Sequence, residues 1–521
     1  MNDRYDVAVV GSGFGGAITA MIAQRLGLRT VLLERGRHPR VVIGESSTPL
    51  SNLLVEELAA RYNLPALRPL SKWGSWQQSH PELVCGLKRG FSFFHHGVGS
   101  VAKIERDHQL LVAASPNDTI GDTHWYRADF DEYLVHTAQR QGVDFLDEVD
   151  LRGFKEHSDG TILHGDRKGS KLHIEADFVV DATGQRGFLH RSLSLGELPL
   201  PGFPATQSLY SHFRGVQRLD KMGAVALDAA PPYPIDDAAV HHVFEGGWVW
   251  VLRFNNGITS AGISATDTLA NDLRLSEGAD AWDRMLDRFP ILHQQFARSE
   301  AVEPFRHLRR LSFRSTSIAG KRWALLPSAA GFADPFLSTG FAVTLLGITR
   351  LAEIFEHHWR GEDFDPRLAA YAAKTDAEFL AASRLIAALY ANLNNFRVFS
   401  ALTLLYFAAA SYAETGRRLG KPELAQSYLL YDHPQFGPAC TEIAERAHSC
   451  RSEADSDEII ESVLRAIEPL DVAGLARRDR RNWYPVEADD LLGAAHKVHA
   501  SRDEVLQMLE RCGFNLAILP A

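Results

Sequence analysis

Hydrophobic and polar positions change rhythm repeatedly along this chain, and each change marks an element. Residues 6–10 form a short apolar run that reads as a buried strand. Gly11-Ser12-Gly13-Phe14-Gly15-Gly16 follows, and helical spacing of apolar positions continues from residue 17 to about 26. A second apolar run, residues 30–33, ends at Glu34 and Arg35. Strand, glycine turn, helix, strand and acid form a βαβ unit with the spacing of a dinucleotide site. Gly11 would make the tight turn, Gly13 would let the backbone approach a pyrophosphate, and Gly16 would allow close helix–strand packing. The free N–H groups of the helix face the phosphates, and Glu34 accepts from ribose hydroxyls.

The same strand rhythm returns much later. Residues 177–180 read as a strand ending in Asp181-Ala182-Thr183-Gly184, and residues 323–326 as another, ahead of Pro327-Ser328-Ala329-Ala330-Gly331-Phe332. Between them, residues 90–96 alternate small or polar with aromatic, and residues 247–254 and 259–264 are strand-like. From Gly340 onward helical patterns dominate: residues 341–357, 366–393, 398–419, 458–467 and 502–511. The chain is therefore expected to be α/β, with a Rossmann-like nucleotide domain interrupted by a mixed-strand insertion and followed by a helical region. Residues 1–360 form the core, with the inserted sheet at about 80–120 and 205–300, and residues 361–521 the helical remainder. A discontinuous nucleotide domain suits an FAD-binding fold better than a simple NAD dehydrogenase. Residues 453–458, EADSDE, read as an exposed acidic loop and a candidate boundary.

Composition narrows the function. A net charge of −10 and the lack of a long basic run exclude a nucleic-acid binder. Four scattered cysteines form neither a disulfide framework nor a metal-ligand pattern, so no metal is expected and a reducing cytoplasm is the expected location. The chain enters its first strand almost at once, which is read as lacking a signal peptide. The apolar stretch 398–412 is too short for a spanning helix, so a buried helix is expected and no membrane partner.

Candidate chemistry centres on Lys88, in Cys85-Gly86-Leu87-Lys88-Arg89-Gly90-Phe91-Ser92-Phe93-Phe94-His95-His96. A lysine entering a half-buried strand is partly desolvated, which lowers its pKa and favours a neutral, nucleophilic amine. A surface lysine beside Arg89 is the alternative. Lys72, in a loop-like stretch between Ser71 and Trp73, is a weaker rival.

Several strings together resemble the flavin-dependent halogenases, of the branch that does not act on free tryptophan, and their relatives among single-component flavin monooxygenases. Gly44-Glu45-Ser46-Ser47-Thr48-Pro49 is similar to a halogenase signature, Tyr126-Arg127-Ala128-Asp129-Phe130-Asp131 to a string whose arginine lies near flavin, and Asp181-Ala182-Thr183-Gly184 to a strand end against the cofactor. Phe93, five residues after Lys88, matches the spacing that follows the family's catalytic lysine. Asp334-Pro335-Phe336-Leu337-Ser338-Thr339-Gly340 is similar to the stretch that meets the flavin ring and cradles a halide at Ser338, Thr339 and Gly340. Leu337 stands where tryptophan-specific members carry Glu.

The resemblance implies a hydroxybenzoate-hydroxylase-like FAD domain. FAD would be held by Gly11, Gly13, Phe14, Gly15, Gly16, Glu34, Arg35, Ser47, Arg127, Asp181, Gly184, Asp334, Thr339 and Gly340. It also implies reduced FAD from a separate flavin reductase, oxygen, chloride or bromide, and a hypohalous species held at Lys88. The substrate would be an electron-rich phenolic, pyrrolic or carrier-bound ring, with Trp248, Trp250, Phe93 and Leu337 on its side. His95 or His96 would be a candidate base. Two departures stand out. In Trp248-Val249-Trp250-Val251-Leu252-Arg253 the family's Ile-Pro is Leu-Arg, and Pro327-Ser328 replaces Gly-Asp. The first favours the alternative of a flavin monooxygenase without halogenation, and the second allows a flavin-binding scaffold without chemistry.

Overall fold

The computed structural model describes residues 4–514. Strand Tyr5–Val10 lies between the parallel strands Thr30–Leu33 and Ser170–Asp181; Asp144–Leu146 and Trp323–Leu325 extend the same parallel run outward. Val7–Val10, Thr30–Leu33 and Phe178–Val180 are fully buried because both faces of the sheet are covered there, by the helix Phe14–Arg25 among others. Their carboxyl ends share one edge: Val10 sits beside Leu33 and Asp181, and Asp181 beside Leu325. The glycine turn, Glu34, the Asp181–Gly184 string and the Pro327 helix therefore converge at the place where open α/β sheets bind ligands.

The inserted strands form a nine-stranded sheet. Its middle runs Thr206–Arg214, Thr259–Thr266, Gly247–Arg253, Ala239–Phe244, Gly90–His95 and Gln109–Ala113. Strand alternation gives it two faces. Trp248, Trp250, His241, Phe91 and Phe93 point toward the nucleotide domain and the C-terminal helices, while Val249, Val251, Val240 and Phe94 pack against the helices Ala279–Arg288 and Pro290–Phe296. The helical region is not confined to helices: Trp483–Tyr484 joins this sheet beside Gln109–Ala113.

Two expectations change here. Lys88 does not enter the Gly90–His95 strand. It ends a separate strand, Cys85–Lys88, paired antiparallel with Asp122–Trp125. The break falls at Arg89, whose N–H bonds Asp237 O at 2.7 Å and whose guanidinium bonds Asp118 at 2.6 Å. Residues 453–458 are not a loop. They open the helix Glu453–Ile467 through a capping box, Asp455 N–H donating to Ser452 Oγ at 3.1 Å and Ser452 N–H to Asp455 Oδ2 at 3.0 Å. Clustered acids suit a helix N-terminus, where they meet the positive dipole end.

Two helical stretches, Phe336–His358 and Phe396–Arg418, are long and apolar enough to cross a membrane, yet 67% and 83% of their most apolar windows are buried inside the protein. Phe396–Arg418 spends that surface on the inserted sheet, with Phe399 against Phe93 and Phe407 against Phe91.

Candidate active site

A cavity of about 950 Å³ runs along the strand edge and on between the two sheets. At one end it is lined by the glycine turn, Glu34, Arg35 and Arg40; at the other by Trp248, Trp250, His241 and Ser338-Thr339-Gly340.

The near end is built from backbone. Gly11 has φ +99°, and a Cβ on Gly16 would lie 1.8 Å from Gly11 O, so neither position admits a side chain. Gly13 caps the helix Phe14–Arg25 without a side-chain bond, leaving N–H groups of the first turn for a ligand. Arg127 stands over this turn. It is held by Asp131 through paired bonds of 2.8 Å and donates to Gly44 O at 2.9 Å. Glu34 lines the cavity and accepts from Ser12 Oγ at 2.7 Å and Gly36 N–H at 2.8 Å. Burial alone would raise its pKa, but Arg40 and these bonds outweigh burial and hold the carboxyl below its ordinary value.

The far end turns on two consecutive left-handed residues, Leu337 (φ +61°) and Ser338 (φ +54°). Such a turn is costly for non-glycine residues and needs anchoring. The buried Asp334 supplies it. Its carboxylate accepts from Phe336 N–H at 3.0 Å, Ser264 Oγ at 2.7 Å and Tyr390 Oη at 2.8 Å. The chain is thereby aimed so that the uncapped N-terminus of the helix Thr339–His358 meets the cavity, with Gly340 open to it. An N-terminus without an acidic first turn favours an anion.

Residues 6–309 match the family described as FAD dependent oxidoreductase. The tetracycline 7-halogenase of Kitasatospora aureofaciens is 30% identical over 72% of this chain and 68% of its own length. This chain belongs to the flavin-dependent halogenases. The monodechloroaminopyrrolnitrin halogenase PrnC of Pseudomonas fluorescens is 28% identical over 91% of this halogenase and 83% of the relative. The crystal structure of halogenase PltM with phloroglucinol and FAD shares its fold, with a TM-score of 0.81 over 92% of this chain and 99% of that one, at 22% identity.

The halogenase is an FAD-dependent enzyme, and its cavity fits that cofactor on the chain's own terms. The glycine turn leaves room for a pyrophosphate, Arg127 and Arg40 supply positive charge, and Glu34 presents ribose acceptors. Of the residues singled out in the sequence, Gly11, Gly13, Phe14, Gly15, Glu34, Arg35, Arg127, Gly184, Ser338, Thr339, Gly340, Trp248 and Trp250 line the cavity. Gly16 lies behind the turn and packs it.

Other expectations need correction. Asp181 does not face the cofactor cavity: its two oxygens accept from Thr183 N–H at 2.8 Å and Leu189 N–H at 2.6 Å, folding the loop that presents Gly184. Asp334 anchors the far turn, as described, and does not line the cavity. Ser47 is fully buried and bonds Thr123 O at 2.7 Å. Phe93 is sealed against His241, Phe399 and Phe336, and Leu337 is buried in the turn. His96 bonds His242 at 2.8 Å on the sheet's outer face, and His95 stacks on His108 and Phe396 at the strand's far end. Neither reaches Lys88. Lys72 pairs with Glu56 at 3.7 Å. Arg253 points away from the flavin side, because the alternation that turns Trp248, Trp250 and Leu252 inward turns it outward. It pairs with Asp236 at 3.0 Å and donates to Val216 O at 3.0 Å. Ser328 does line the cavity.

Lys88 is fully buried beyond the cavity wall. Its amine donates to Ser46 Oγ at 2.9 Å and Ser47 O, and lies 3.7 Å from the centroid of the Phe91 ring. Burial pushes its pKa far below the ordinary lysine value, and the Asp122 carboxylate pulls it partway back. Ser46 also lines the cavity, as does His241, which stacks on Phe91 and Phe93. Cavity and amine are therefore separated by one layer of side chains.

Sequence reasoning missed His241 and the bond that His212 makes, at 2.8 Å, to Glu45 on the cavity wall. The run Ala239–Phe244 carries a strand pattern that could have placed His241 beside the tryptophans. Nothing local signals His212, whose partner is 167 residues away.

Proposed function

We propose that this halogenase transfers chloride or bromide, as a hypohalous species held at Lys88, to an electron-rich phenolic or pyrrolic ring, free or carrier-bound. The observation that carries the proposal is the Lys88 amine itself: fully buried, facing an aromatic ring, and bonded to a serine that also lines the flavin cavity. Reduced FAD from a separate flavin reductase, with oxygen, supplies the oxidising equivalents for halide.

The chain's own groups do the rest. The N–H groups of Thr339 and Gly340 hold the halide at the inner end of the cavity. Ser46 and His241 border the route toward the amine. A neutral Lys88 amine and hypohalous acid form an N–halogen bond and release water; an ammonium holds the acid by hydrogen bonding. Either way the electrophile is positioned, and positioning supplies the selectivity that free hypohalous acid lacks. Phe91 and the adjoining aromatic layer keep water from it. Trp248 and Trp250 keep the organic substrate away from the flavin side, and Arg253, bound outward to Asp236, does not disturb them.

The test is purified protein with FAD, a flavin reductase, oxygen and bromide, offered phloroglucinol and a pyrrole, with products read by mass spectrometry. A brominated ring is expected. Hydroxylated product alone would replace this reading with a monooxygenase. In Lys88→Ala, halogenated product should vanish while flavin-dependent oxygen consumption continues.

A further inference from the structure

Lys88 ends its strand directly opposite Asp122 on the antiparallel partner. Both side chains are buried, at 0% and 5% exposure. Asp122 Oδ1 accepts from Asn52 Nδ2 at 2.7 Å, whereas its Oδ2 is buried without a protein hydrogen-bond partner. A carboxylate kept at this depth with one oxygen unsatisfied is costly, and a purely structural role would be served better by an amide or an apolar residue. The amine's own bonds go to Ser46 and Ser47, so Asp122 acts on it across space and not through a contact.

We propose that Asp122 is a positioning residue for halogenation: from the strand beside Lys88 it supplies the counter-charge that sets the amine's protonation, with Asn52 holding its carboxylate in place. The proposal rests on the reading of Lys88 as the amine that carries the halogen.

The groups around the pair leave Asp122 as the uncompensated charge. His124, on the Asp122 strand, and His241, on Ala239–Phe244, are each pushed down to about 3 by burial and by Lys88, so both are neutral at ordinary pH. From the helix Phe396–Arg418, Glu414 and Arg418 bond each other at 2.7 Å and largely cancel. Tyr406 on the same helix is pushed up by burial and stays a neutral phenol. From Pro49–Arg61 comes the neutral Asn52. Burial disfavours charge on both members of the pair, pushing the amine down and the carboxyl up, while their mutual attraction opposes both shifts. The pair thus has two neutral-sum states, ammonium with carboxylate and amine with carboxylic acid. Formation of an N–halogen bond needs the lone pair of the second; hydrogen bonding to hypohalous acid uses the first. Asp122 and its bond from Asn52 set the balance between them.

Asp122→Asn removes the attraction, so the amine should lose its proton at lower pH. The midpoint of the halogenation pH profile that reports Lys88 should then move down by roughly one unit, while the profile of flavin-dependent oxygen consumption stays in place. A rate that falls equally at every pH, with the midpoint unmoved, would overturn the proposal and leave Asp122 as packing. Should Asp122→Asn fail to fold, Asn52→Leu serves: removing its bond disfavours the carboxylate and should shift the midpoint the same way by less, and an unmoved midpoint there counts equally against the proposal. A thermal-unfolding double-mutant cycle with Lys88→Met reads the pairing without catalysis. Non-additive shifts are expected, and additive ones would refute the pairing even in an enzyme that halogenates. Failure of Lys88→Ala to stop halogenation, with a non-additive cycle, would overturn the reading of Lys88 and leave the charge pair standing.

Discussion

The nucleotide end of this protein and the buried Lys88 pocket are built in opposite ways. The nucleotide end is made of backbone: a left-handed glycine, a helix N-terminus without a side-chain cap, and carboxylates and guanidiniums already tied to neighbours. It opens onto a cavity. The amine end is made of side chains from segments far apart in sequence, Ser46, Asn52, Lys88, Asp122 and His241, and it is closed. The difference follows from the tasks that the proposed function gives them. Binding a dinucleotide requires close approach and ready N–H donors, which local geometry supplies. Holding a reactive electrophile requires dryness and a tuned amine, which only packing supplies.

Substitutions at the two ends should therefore fail differently. Gly16→Val places a side chain where a Cβ would meet Gly11 O at 1.8 Å, and both FAD retention and oxygen consumption should disappear, as flavin absorbance would show. Lys88→Ala should keep both and lose halogenated product by at least about 100-fold in turnover assays. If Lys88→Ala also released FAD, the two ends would not be separable.

Arg253→Met sharpens the boundary between the sheet's faces. It strands the buried Asp236 carboxylate and should cost about 3–5 kcal/mol in urea unfolding. Halogenation by the folded fraction should be unchanged; altered product distribution would put Arg253 back on the flavin side.

Asp334 tests whether the far turn is held by an anchored acid. Burial raises its carboxyl to about 6, against hydrogen bonds from Ser264, Tyr390 and Phe336 that lower it. A folded-state value raised above the unfolded one means stability is full below about pH 4 and is lost as pH rises through about 6. The contribution is about 2–3 kcal/mol, and Asp334→Asn should abolish that slope in denaturation curves collected across this window. The smallest effect is expected at Glu34→Gln, where a neutral acceptor should weaken FAD binding about tenfold by fluorescence titration.

Legibility along the chain divides at the same boundary. The βαβ unit, Glu34 and the long C-terminal helices were readable because each depends on residues within one turn or one strand of each other. Lys88 was expected at the entry of the wrong strand, since the break at Arg89 depends on Asp118 and Asp237. Asp181 and Asp334 were expected at the cofactor because they belong to its strings. The fold uses their carboxylates to bend the chain that reaches it. EADSDE looked like a loop because charge density suggests exposure, while a capping box makes the same residues a helix start.

In one dimension the chain already specified a nucleotide edge and its cofactor, because glycine spacing, strand period and helix caps are short-range properties. Its membership of a halogen-transferring family was equally legible in short strings. Folding alone decided that Arg253 meets Asp236, that His212 meets Glu45, and that a lysine and an aspartate share a dry interior. Those outcomes depend on burial and on charge partners from distant segments, and neither is a property of any local stretch of residues.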